Sequence, residues 1–115
     1  MYILLGAPNV VRGCSTGGNL DAREAIKAGF GNVLCSDYAP TAMVHAVFAL
    51  EGMGIPLPAA MNMASLNPAR AAGLDSYTGS LEPGKCADLT IVDPSGEVPR
   101  ILKTFVEGRE IYSAW

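Results

Sequence analysis

Few side chains in this 115-residue chain could do chemistry. One histidine, His45, and three cysteines, Cys14, Cys35 and Cys86, supply every imidazole and thiolate donor. Asp37 stands out by position. It follows the apolar run Val33-Leu34-Cys35 and Ser36, just ahead of a helical pattern that starts near Pro40. If that run is a strand of a parallel α/β sheet, Asp37 sits at its carboxyl end, where such sheets bind ligands. A carboxylate there can hold a metal ion or take a proton from water. The plainer alternative is that Asp37 only caps the turn into the helix.

His45 lies mid-helix among apolar neighbours, a setting that favours a hydrogen-bonded core or interface histidine over a ligand. A thiol–imidazole pair, Cys14 or Cys35 with His45, would be a nucleophilic alternative, although no spacing supports it. The cysteine count is odd, the spacing is wide and no C-x-x-C occurs. A disulfide framework and a structural zinc site are therefore not expected. Cys35 reads as a small core residue and Cys14 as the exposed one. The stretch Arg12–Asn19 is rich in glycine, carries one cation and precedes a helix. It could cradle an anion, or simply connect two elements. It contains neither Gly-Lys-Ser/Thr nor G-x-G-x-x-G.

These residues need elements to position them. Residues 1–5 read as a short strand closed by Gly6 and Pro8, with Val10-Val11 continuing it or starting a second piece. Asp21–Gly29 reads as a short helix capped by Asp21 or Asn19. Asn32–Ser36 reads as a strand. Strand, helix and strand in that order predict a βαβ unit with parallel pairing. A helix from Pro40 to about Gly52 is apolar nearly all round and should be buried on more than one side. Pro58–Leu66 predicts another helix, restarted by Asn67 as cap and Pro68 at the first position. Beyond Asp75 the pattern changes. Glu82-Pro83-Gly84-Lys85 fits a type II turn. Ala87–Val92 and Ile101–Val106 read as strands, and Glu107-Gly108 as a tight reversal into Arg109–Tyr112.

Composition sets the outer limits. Half of the residues are hydrophobic and 17% are charged, which excludes a disordered chain. Eight basic and eleven acidic residues give a net charge of −3 and no basic patch for nucleic acid. No stretch reaches the length of a membrane span. Met1–Gly6 lacks a charged leader, so a cytoplasmic location is expected. The chain is also short of the roughly 250 residues of a complete (β/α)₈ barrel.

The order of four segments resembles the C-terminal third of the amidohydrolase superfamily. They are Val33–Tyr38, Asn67–Leu74, Gly79–Asp93 and Val106–Tyr112. Gly6–Gly13, Ser36–Pro40 and the His45 helix resemble its phosphonate-metabolism branch. The resemblance implies an α/β fold, namely the last βα units of a (β/α)₈ barrel over residues 1–74. Strands of a small sandwich domain would follow over residues 75–115. It implies a metal-dependent hydrolase using zinc, manganese or iron, with Asp37 binding metal and activating water. The other ligands expected in the family have no counterpart in this sequence. Thr16 stands where the branch usually carries histidine. Arg12 is a weak candidate for the substrate's phosphates.

These readings combine into one expectation. The chain is a truncated amidohydrolase, inactive alone or one part of a split hydrolase, and holding no metal by itself. Its unpaired strand edges and apolar helix call for a homo-oligomer or a complementary N-terminal chain, with no nucleic acid or membrane partner. The rival reading is a non-enzymatic oligomeric interaction or ligand-binding module.

Overall fold

The computed structural model describes residues 1–12 and 21–114. Cys14 and Thr16, and most of the Arg12–Asn19 loop, lie outside the described residues. Those described form β1 (Leu4–Gly6), α1 (Ala7–Arg12), α2 (Ala22–Lys27), β2 (Val33–Cys35) and α3 (Ala42–Gly52). There follow α4 (Leu57–Ala64), α5 (Leu66–Ala71), β3 (Leu89–Asp93), β4 (Arg100–Val106) and β5 (Arg109–Ser113). The fold is mixed α/β.

β1 and β2 pair in parallel, with Leu4 opposite Val33 and Gly6 opposite Cys35, as the strand–helix–strand order predicts. Asn32 lengthens this ladder with its side chain. Its Oδ1 accepts from Ile3 N at 2.8 Å, and its Nδ2 donates to Met1 O at 3.1 Å. Between the strands, Asp21 caps α2 and accepts from Arg23 N at 2.9 Å. Partial burial opposes ionisation there. The Arg23 backbone N–H, its side chain and its charge outweigh that and hold the Asp21 carboxyl below its ordinary value.

α1 departs from the sequence reading, which had a strand or a second short piece at Val10-Val11. Pro8 occupies the second helical position, where a missing N–H costs nothing. Ala7, Pro8 and Val10 are buried, and α1 packs on α3. That burial overrides the weak helix propensity of two valines. The second departure is at α5, which begins at Leu66 with Ser65 as its N-cap. Asn67 is therefore inside the helix. Its Nδ2 donates to Asn32 O at 2.7 Å and ties α5 to the start of β2.

α3 sits centrally, as its apolar surface requires. Ala46, Val47 and Leu50 are buried against Ala7 and Val10 of α1 and Ala60 and Met63 of α4. Among the described residues, every buried hydrophobic one falls between Ala7 and Ala69. The tail is an antiparallel meander, β3-β4-β5, with no fully buried residue among those described. Gly84 has φ +92° and Lys85 N donates to Glu82 O at 3.1 Å, consistent with the expected turn. Glu107 (φ +52°) and Gly108 (φ +78°) make the β4–β5 reversal. Asp88 braces it, accepting from Glu107 N at 2.8 Å and Thr78 Oγ1 at 3.2 Å. Among the described residues no helix is long and apolar enough to cross a membrane.

Candidate functional site

Asp37 lies two residues past β2, in the turn Ser36–Ala39 closed by Ala39 N donating to Ser36 O at 3.0 Å. Its φ is +51°, in the left-handed region where aspartate is tolerated better than most residues. That backbone aims the carboxylate across the end of the neighbouring strand. A Cβ placed on Gly6 would come within 3.1 Å of Asp37 Oδ2. Gly6 thus leaves the space into which the carboxylate leans. The side chain is exposed, and among the described residues no group donates a hydrogen bond to it. α3 takes Thr41 as its N-cap without a side-chain hydrogen bond. The capping alternative for Asp37 is therefore not what the structure contains.

Arg12 reaches Tyr38 of the same turn. In the last turn of α1, its Nη1 donates to Tyr38 Oη at 3.3 Å. Arg12 is thus bonded to Tyr38, which follows Asp37 in the turn after β2. Tyr38 and Gly6 were not separate candidates in the sequence. A glycine after an apolar run signals only a turn, and its role as a clearance for Asp37 depends on the strand pairing.

His45 is elsewhere. It is half-buried on α3 and lines an open cleft of about 490 Å³ facing the tail sheet, opposite Ile101 and Tyr112. No hydrogen bond joins it to Cys35, which is half-buried on β2. The thiol–imidazole pair is not assembled among the described residues. Nor do they include any group of three or more His, Cys, Asp and Glu side chains placed to share a metal ion. Asp37 is at a position suited to chemistry, but the donors around it do not complete a metal centre.

A model described as the amidohydrolase family matches residues 15–111. The chain belongs to the amidohydrolase family. Among its relatives is the alpha-D-ribose 1-methylphosphonate 5-triphosphate diphosphatase of Escherichia coli K12, 33% identical over 115 residues. That match takes in 97% of this chain and 30% of the relative. The N-acetylglucosamine-6-phosphate deacetylase of Haemophilus influenzae is 43% identical over 61 residues, 53% of this chain and 15% of that protein. The chain thus spans less than a third of the length of either relative. In three dimensions it resembles the N-acetylglucosamine-6-phosphate deacetylase of Pasteurella multocida. The TM-score is 0.71 at 19% identity, over 96% of this chain and 36% of that one. This last likeness concerns the fold alone. Amidohydrolases are generally metal-dependent.

Proposed function

We propose that this chain carries the Asp37 wall of a metal-dependent hydrolase site whose remaining ligands come from polypeptide outside this sequence. Residues 1–74 would be the last βα units of a (β/α)₈ barrel, and 75–115 part of a small sandwich domain. The carrying observation is the placement of Asp37. It follows a parallel strand on a left-handed backbone and leans over Gly6 of the adjacent strand. Carboxyl ends of parallel strands are where barrel enzymes hold their chemistry. There the Asp37 carboxylate would hold metal or accept a proton from water.

The substrate class we favour is a phosphorylated compound of phosphonate metabolism. The support is the 33% identity to the ribose methylphosphonate triphosphate diphosphatase, which runs along 97% of this chain. Arg12, held by Tyr38 near Asp37, would meet the anionic end of such a substrate. Alone, the chain would turn over no substrate, because one carboxylate does not make the site.

The test is complementation. The chain is mixed with a polypeptide supplying the remainder of the E. coli diphosphatase, and release of pyrophosphate from the methylphosphonate triphosphate is followed. The expected result is hydrolysis by the mixture, none by either part, and loss of at least about a hundredfold with Asp37→Asn. Hydrolysis unaffected by that substitution would remove Asp37 from the site.

A further inference from the structure

Gly6 is the last residue of β1, directly ahead of α1, yet its backbone does not require glycine. Its φ is not among the positive ones, so an ordinary L residue could adopt the same conformation. Glycine at such a place gives up side-chain packing and leaves the unfolded chain more freedom to lose. A glycine inside a strand often marks the close approach of another group.

The approaching group is Asp37. The three atoms nearest to a Cβ at position 6 all belong to its side chain: Oδ2 at 3.1 Å, Cβ at 3.6 Å and Cγ at 3.7 Å. The other described glycines differ. Gly31 makes room for Leu5 and Ile26, Gly79 for Ala69 and the backbone of Ser65 and Leu66, and Gly52 faces open space. Gly6 is the one described glycine set against an ionisable side chain.

The contact runs between neighbouring strands. Gly6 pairs with Cys35, and Asp37 stands two residues beyond Cys35 on its left-handed backbone. That backbone decides where the side chain leaves the turn. The surface of β1 decides how far the carboxylate can swing over it. No described group donates a hydrogen bond to the carboxylate, so this steric limit is what orients it.

We infer that Gly6 is a positioning residue for Asp37, leaving bare backbone over which the carboxylate settles at the end of β1. Its effect on turnover rests on the hydrolase reading; its effect on the placement of Asp37 does not. A methyl group at position 6 would sit 3.1 Å from Oδ2, where ordinary contact begins at 3.4 Å. The carboxylate must give way by a few tenths of an ångström. The fold absorbs that, because the side chain is exposed and turns about its own bonds. Chemistry does not, since a reacting group has a latitude of only about 0.5 Å.

Gly6→Ala in the full chain tests this. Magnetic resonance on the chain alone reads the Asp37 χ1 couplings and carboxyl carbon shift. Both should change, while the urea midpoint stays level or rises. In the mixture with the remainder of the E. coli diphosphatase, kcat for pyrophosphate release should fall about tenfold, with KM within about twofold. Gly52→Ala, whose Cβ meets nothing within 4 Å, should alter neither the Asp37 signals nor kcat. If Gly6→Ala does not fold, adding Asp37→Ala should restore the fold, because the contact left at 3.6 Å is an ordinary one. A double variant that still fails to fold overturns the inference. So do unchanged Asp37 signals, and so does an active mixture whose kcat is indifferent to Gly6→Ala. A native mixture that hydrolyses nothing is a failure of the hydrolase reading alone. Shifted Asp37 signals then still uphold the placement, and unshifted ones overturn it.

Discussion

Asp37 holds a left-handed backbone that an aspartate occupies at some cost in stability. Asp37→Gly should therefore raise the unfolding free energy, by about 0.5–1 kcal/mol after allowing for the greater freedom of glycine in the unfolded chain. Urea denaturation measures this. A loss of stability instead would mean that the carboxylate makes a contact that holds the turn. Asp93 gives the opposite kind of test. Bonds from the Ser95 side chain and backbone, then from Arg100, lower its carboxyl from 3.8 to about 2. A depressed carboxyl stabilises the fold above its unfolded value and loses that contribution as pH falls through the folded value. The urea midpoint of the native chain should thus fall between about pH 5 and pH 2. Asp93→Asn should start lower at neutral pH and show a shallower fall over that window. Identical pH profiles for the two proteins would show that Asp93 contributes nothing to the acid sensitivity.

At the scale of elements, the hairpin between β4 and β5 depends on a residue that precedes both strands. Asp88 accepts from Glu107 N and Thr78 Oγ1, so it joins the reversal to the segment before β3. Asp88→Ala should cost about 1 kcal/mol in thermal or urea unfolding, as expected for an exposed side chain that satisfies a backbone donor. An unchanged midpoint would mean that water replaces it freely. Much of this architecture was legible in the sequence. The glycine and proline punctuation located both tail turns, and the strand–helix–strand order gave the parallel pair. What was not legible depended on tertiary contacts. The Val10-Val11 pair favours a strand locally, and only burial against α3 makes it part of α1. Asn67 has the composition of a cap. The Asn32 carbonyl, brought near by the fold, captures its amide instead. At the candidate site, the position of Asp37 after a strand could be read directly. Its approach to Gly6 and the Arg12–Tyr38 bond could not, because they arise from pairing between distant segments.

At the scale of the whole molecule, the core and the chemistry are unevenly distributed. Among the described residues, the buried hydrophobic ones end at Ala69, and the tail sheet adds none to them. The described residues bond Arg12 to Tyr38, the neighbour of Asp37, and leave His45 in a separate cleft. A family that is generally metal-dependent is thus represented by a chain whose described residues offer one well-placed carboxylate. The most direct test of this account is a zinc titration by calorimetry. It would be run on the chain alone, on the chain with the remainder of the E. coli diphosphatase, and on each with Asp37→Asn. The account predicts no stoichiometric binding by the chain alone. It predicts binding by the mixture, weakened at least about tenfold by Asp37→Asn. Stoichiometric zinc on the isolated chain, indifferent to Asp37→Asn, would contradict it.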